Sequence, residues 1–275
     1  MSATSSAARV TAAAPILLRE DVEEIAILTL NRPERRNSLS EAMLAALTET
    51  FAEIGGDHAI RAVVLAANGP AFCAGHDLKE LTGRRADPDR GRAYYADIMQ
   101  RCATLMQAIT RLPQPVIAAV HAVASAAGCQ LVATCDLAVA SASAGFCTPG
   151  VNIGLFCSTP MVALTRNVSA KHAMEMLLTG DTISAEYAQR IGLVNQVVDP
   201  GTEREAALAL ARKIAAKSAL TVKIGKEAFY RQREMDLAEA YRYASQVMVE
   251  NMLARDAEEG IGAFIEKRAP HWQDR

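Results

Sequence analysis

Apolar and polar residues change period along this chain, from strand-like runs in the first half to helical stripes in the second. Residues 15–20 and 23–31 read as two short strands joined at Asp21-Val22. Asn31-Arg32-Pro33 then breaks the pattern. Ser38 and Glu41 have the spacing of a capping box, and the helix they open places Met43, Leu44, Leu47, Phe51 and Ile54 on one face before Gly55-Gly56 ends it. Residues 59–67 form an apolar run of strand length, followed by an Asn68-Gly69-Pro70 turn. Residues 88–111 predict a long amphipathic helix carrying Tyr94, Ile98, Leu105 and Ile109, stopped by Pro113 and Pro115.

Residues 116–124 and 136–141 read as further strands. The stretch 145–160 is loop-like, with Pro149, Gly150, Gly154 and Pro160. Helices are expected at 160–178, 184–191, 203–216, 218–232 and 236–255, with a strand at 193–199 alone among them. The expected fold class is α/β, with βα units in the first two-thirds and helices at the end. The expected division is a disordered tail at 1–14, a core at 15–200 and a helical C-terminal region at 201–275.

Composition narrows the function classes. Hydrophobic residues make up 51% of the 275 and aromatics only 5%, which suits close helix packing on a sheet. A formal net charge of −2 gives no footprint for nucleic acid. No apolar run reaches membrane-spanning length, so no membrane partner is expected. The six cysteines form no CxxC pair and no zinc-ligand spacing, so no metal is expected, and they read as reduced, buried thiols of a cytosolic or matrix protein.

Two segments carry the candidate chemistry: AFCAGHDLKEL at 71–81 and AVASAAGCQLVATCD at 122–136. Each is a small-residue turn between a predicted strand and a predicted helix. Such turns leave main-chain N–H groups free to meet an anion, and a helix N-terminus adds roughly half a positive charge. Either turn alone could be ordinary tight packing. Together they suit an oxyanion hole for a thioester carbonyl.

With these segments, LNRPERRNSLS (30–40), TGDTISAEYAQRIGLVNQVV (179–198) and EGIGAFIEKRAP (259–270), the chain resembles the enoyl-CoA hydratase/isomerase (crotonase) superfamily from about residue 15 to its end. AAGCQLVATCD followed by TPGVNIGLFCSTP resembles one particular branch of it. The resemblance implies a spiral of ββα units, a C-terminal helical region that mediates a trimer, and stacking of two trimers into a hexamer. It implies no permanently bound cofactor and a coenzyme A thioester as substrate or ligand. The oxyanion donors map to the main-chain N–H groups of His76 and Ala127, the second usually a glycine in the family. Coenzyme A contacts map to Arg35, Arg36, Ala74, Gly75, His76, Asp77 and Leu78, with Lys267 from a neighbouring tail. The compartment it implies is bacterial cytoplasm or, in a eukaryote, the mitochondrial matrix.

The family pattern breaks where proton transfer belongs. Hydratases of the family use two glutamates, and here those positions hold Gln130 and Gly150. An amide holds a water but cannot act as a carboxylate base, and each lost acid–base group costs about 10²- to 10⁴-fold in rate. Enoyl-CoA hydratase-like lyase activity is what the resemblance suggests, and efficient hydration is what the residues argue against. The expected function is acyl-CoA binding with a different or weak enolate-forming reaction. The alternatives are a non-catalytic acyl-CoA binding or regulatory protein and an acyl-CoA decarboxylase. The His76 side chain is the best titratable substitute. Cys157 reads as a nucleophile only beside a base, and otherwise as a small apolar residue. Asp77 is expected to cap a helix, Asp136 to be structural and His121 to be a satisfied core residue. Glu80 either reaches the pocket or faces solvent. Restoring glutamate at 130 and 150 together is expected to raise hydration, provided the loop geometry is kept.

Overall fold

The computed structural model describes residues 14–275, so all but the last residue of the expected tail lies outside the described residues. Strands β1 (Leu17–Val22) and β2 (Ile25–Leu30) form an antiparallel hairpin. Asp21 and Val22 still pair across it, so the turn is Glu23-Glu24, with Glu23 left-handed at φ 57°. Helix α1 (Glu41–Gly56) buries the five apolar positions its spacing picks out. Its cap is Ser40, which accepts the Met43 N–H at 3.2 Å, whereas the Ser38 hydroxyl turns to Asp77.

Strand β3 (Ala62–Ala67) precedes helices α2 (Leu78–Gly83) and α3 (Arg92–Arg111). The latter starts after Pro88 because Gly91, at φ 86°, holds its N-terminus. The run expected as one strand over 116–124 is two: β4 (Val116–Val120) and β5 (Ala124–Ser125), which belong to different sheets. Next come α4 (Ala127–Thr134), β6 (Leu137–Ser141) and β7 (Gly145–Cys147). The stretch expected as loop thus holds a strand, and also a 3-10 turn at Pro149–Ile153. The expected helix over 160–178 is split into α5 (Ser158–Leu164) and α6 (Ala170–Thr179). Between them Asn167 donates to the carbonyls of Ala133 and Ala163, pinning the break.

Strand β8 (Ile183–Ser184), helix α7 (Ala185–Arg190) and strand β9 (Gln196–Val198) follow. Helices α8 (Glu203–Ala215), α9 (Ala219–Gln232), α10 (Leu237–Met252) and α11 (Arg255–Glu266) complete the chain. The last of these lies beyond the expected helices, which end at residue 255.

The main sheet runs β1-β2-β3-β4-β6-β9, parallel beyond the hairpin, and β9 is its edge rather than a strand apart. All six residues of β2 are buried because both sheet faces are covered. Leu28, Leu30, Val63 and Leu65 join the core of α1 and α3, while Ile25, Ile27, Val64 and Ile117 meet Ala207 and Ala211 of α8. A small second sheet, β5-β7-β8, stands beside it.

Asp136 is structural, as expected. Its carboxylate accepts from the Val116 N–H at 2.7 Å, Lys226 Nζ at 2.7 Å and the Tyr230 hydroxyl at 2.9 Å, which bolts α9 to the sheet. Lys226 Nζ also donates to the carbonyls of Ile109 and Gln114. Burial lowers the pKa of Lys226, against the opposing pull of Asp136. Helices α9 and α10 have no fully buried residue.

Candidate functional site

Parallel pairing between distant segments builds the site. Phe72 N donates to Val123 O at 3.0 Å and Ser125 N to Cys73 O at 2.9 Å, so residues 72–73 run beside 123–125. Cys73 stands opposite Ala124 in this register. His76 and Ala127 each lie three residues beyond this pair. A Cβ built on Gly75 would sit 3.2 Å from Ala127 N and 3.0 Å from Ala126 Cβ. The turns are in direct contact.

Neither the His76 N–H nor the Ala127 N–H has an acceptor among the described residues. Ala127 opens α4 and is only 1% exposed, so its N–H is a buried helix-terminal donor. Ala126 before it holds φ 50° and ψ −117°, a geometry that favours glycine. Its N–H donates to Cys147 O at 2.9 Å, which ties the turn to β7.

A third segment supports the first turn. Leu39 N donates to Gly75 O at 2.8 Å and Ala74 N to Arg36 O at 3.0 Å, so the Arg35-Arg36 loop runs alongside Ala74 and Gly75 with both arginines exposed. Asn37 pins this loop and was not visible in the sequence. It is fully buried and left-handed (φ 52°), and its amide donates to Asn68 O and Ala71 O at 2.8 Å. Asp77 caps α2, as expected, accepting Lys79 N at 3.1 Å, and Arg32 stands 3.4 Å from its carboxylate. Leu78 is exposed. Lys267 ends α11 in the left-handed conformation, exposed, and makes no hydrogen bond to either turn within the one chain.

The side chains around the turns differ in what they can do. Both ring nitrogens of His76 are buried without a partner, and burial lowers its pKa, with the Leu39 backbone opposing in smaller measure. The imidazole is therefore neutral near pH 7. Gln130 is 5% exposed and its Oε1 has no partner among the described residues. Glu80 is half-buried, and its carboxylate accepts the Glu41 N–H at 3.0 Å and so helps to cap α1, a role its local sequence does not announce. His121 corrects another expectation. It lies past the end of β4, and while Nε2 meets Gly69 O at 2.8 Å, Nδ1 has no partner.

Gly150 is enclosed. A Cβ there would stand 2.9 Å from Cys157 Sγ, 2.9 Å from Leu155 O and 3.3 Å from Cys157 N. The expected gain from restoring both glutamates is conditional on the loop geometry being kept, and a side chain at residue 150 cannot enter this loop without moving it. Burial raises the Cys157 pKa, with the Gly150 backbone pulling the other way, so the thiol stays protonated at neutral pH. It is a packing residue, in keeping with the plainer of its two readings. All six cysteines are free and buried. Among the described residues, no group of His, Cys, Asp and Glu could hold a metal and no helix is long and apolar enough to cross a membrane.

Known proteins share this fold. The family profile for enoyl-CoA hydratase/isomerase matches residues 20–275. The rat mitochondrial enoyl-CoA hydratase domain-containing protein 3 is 48% identical over 245 residues, 89% of this chain and 80% of its own length. The crystal structure of the human enoyl coenzyme A hydratase domain-containing protein 3 superposes with a TM-score of 0.89 at 46% identity, covering 94% of this chain and 100% of its own. An enoyl-CoA hydratase structure from Mycobacterium smegmatis gives a TM-score of 0.89 at 54% identity, covering 94% and 99%.

Proposed function

The chain belongs to the enoyl-CoA hydratase/isomerase family, and from that premise we propose that it binds acyl-CoA thioesters and supports enolate-type chemistry rather than efficient hydration. The observation that supports this reading is the contact of Gly75 with Ala127, which brings the two turns together, with the N–H groups of His76 and Ala127 both free of an acceptor among the described residues. A thioester carbonyl bound there gains most as negative charge grows on its oxygen, so the pair favours the enolate over the ground state. Coenzyme A would lie along the exposed Arg35-Arg36 loop and residues 74–78. The neutral His76 imidazole is the titratable group offered for moving the α-proton. Gln130 supplies no base, and Gly150 supplies no side chain.

Those two positions also favour a second reading, a binding or regulatory protein without turnover. Decarboxylation is the third, since loss of CO₂ from a malonyl-type thioester yields the enolate with no protein base. The exposed apolar residues Leu237, Tyr241, Met248 and Val249 of α10 and Phe264 and Ile265 of α11 support a homo-oligomer, a trimer or paired trimers. That assembly would bring Lys267 of one chain towards another chain's ligand. Light scattering tests it, and a monomer at working concentration would overturn it.

Two assays test the main reading. Acetyl-CoA at a hundred times its Kd should stabilise the protein by about 2.7 kcal/mol, and no shift in melting temperature at saturation would remove the shared premise. Crotonyl-CoA should lose its enoyl absorbance slowly, and malonyl-CoA separates decarboxylation from simple binding. Rapid hydration would overturn the roles given to Gln130 and Gly150.

A further inference from the structure

The C-terminal helices bury little of themselves. Helices α9 and α10 have no fully buried residue, and α11 buries only Asp256 and Ala263. The chain that follows α11 turns back along the side of the helix that carries both. Asp256, in the first turn and 2% exposed, accepts Gln273 N at 2.7 Å and Asp274 N at 3.0 Å. Three residues on, Glu259 accepts the Arg268 guanidinium at 2.6 and 2.9 Å and His271 N at 2.8 Å. A Cβ on Gly260 would stand 3.1 Å from the Trp272 ring, so the indole lies against the helix.

The same returning segment reaches the core. Trp272 Nε1 donates to Ala216 O at 3.0 Å, just past the end of α8. The Asp274 carboxylate accepts Ala219 N at 2.7 Å, at the first residue of α9, and Arg61 Nη2 at 2.6 Å, one residue before β3. Arg61 also donates to Lys217 O at 3.1 Å. Residues 268–274 thus bridge α11 to a corner made by β3, α8 and α9. Most of the grips are polar, and an element held this way, with few buried apolar contacts, belongs to the low-stability end of a fold.

We propose that residues 268–274 are a conformational strap. Fastened, it holds α11 against the corner of β3, α8 and α9. Undone, it lets α11 open as one unit while the main sheet stays folded. Lys267, on the left-handed turn between helix and strap, moves with it. The device does not rest on the thioester reading above.

Native-state hydrogen exchange of the full chain tests it. The hydrogen-bonded amides of α11 should share one opening, about tenfold or more as frequent as the opening that frees the amides of β3 and β4. Asp274→Ala removes the grip on Ala219 and Arg61 and should speed exchange across α11 by about tenfold, the worth of one hydrogen bond to a charged group. Leu65→Ala, in the core of β3, should speed the sheet amides and leave those of α11 unchanged. Should Asp274→Ala not fold, Trp272→Phe decides, because it removes only the indole N–H and should speed α11 by about threefold. Amides of α11 as slow as those of the sheet, no change across α11 in the strap variant, or a gain in α11 from Leu65→Ala equal to that in the sheet would overturn the inference.

Discussion

A Cβ built on Gly128 would stand 2.1 Å from the carbonyl oxygen of Cys73 and 2.7 Å from its carbon. The start of α4 therefore lies directly against the first turn. Gly128→Ala must force main chain from main chain. It should destabilise by about 3 kcal/mol or more, lower the melting temperature by several degrees and eliminate the acetyl-CoA shift. A variant that melts like the wild type and still binds would show that the turns tolerate separation.

Ala126 should behave in the opposite way. A residue with a Cβ at φ 50°, ψ −117° carries strain of about 1–3 kcal/mol, and glycine removes it at a smaller cost in chain entropy. Ala126→Gly is expected to stabilise by about 1 kcal/mol in denaturant unfolding. An unchanged or lower midpoint would show that the strain is absorbed elsewhere.

Gly150→Glu should fail both as a repair and as a tolerated substitution. The side chain would enter space held by Cys157 Sγ and a fixed carbonyl, at a cost of about 1–3 kcal/mol. Paired with Gln130→Glu it should leave crotonyl-CoA hydration near the wild-type rate. A strong gain in hydration would mean that residues 149–157 rearrange easily.

His76 predicts a direction of pH dependence. Its folded pKa lies below the ordinary 6.5 because burial disfavours the charged ring. Above that ordinary value both folded and unfolded states are neutral, and nothing is lost. As pH falls below it the unfolded chain takes the proton first, so stability drops with acid. His76→Gln should flatten the melting temperature between about pH 5 and 7. An unchanged slope would assign the acid sensitivity to other groups.

Lys226 tests the bolt between α9 and the sheet. Its ammonium and the Asp136 carboxylate are both largely buried, 2.7 Å apart. Lys226→Met leaves the carboxylate with only Val116 N and Tyr230 and should cost about 3–5 kcal/mol. Chemical denaturation would measure it, and a loss under about 1 kcal/mol would mean that water replaces the lysine.

Much of this architecture was readable because its signals are local. The spacing of Met43, Leu44, Leu47, Phe51 and Ile54 marked the buried face of α1, and the runs in β2 and β3 marked strands. The two turns and the family resemblance were legible in the same way. What escaped depends on partners far away in sequence. Ser40 caps α1 rather than Ser38 because Ser38 answers Asp77, and Glu80 reaches the N–H of Glu41 across the fold. Asn37 carries no local sign of the two carbonyls it holds. The sequence offers no measure of the room at Gly150, because that room is taken by residues five and seven positions on.

The two unpaired donors belong to the peptide chain and not to any side chain. Replacing His76 or Ala127 by any amino acid other than proline leaves the N–H in place. On the proposed thioester reading, glutamates at 130 and 150 are therefore not needed for the grip on the ligand. On that reading the main chain holds the thioester, and side chains alone decide what becomes of it.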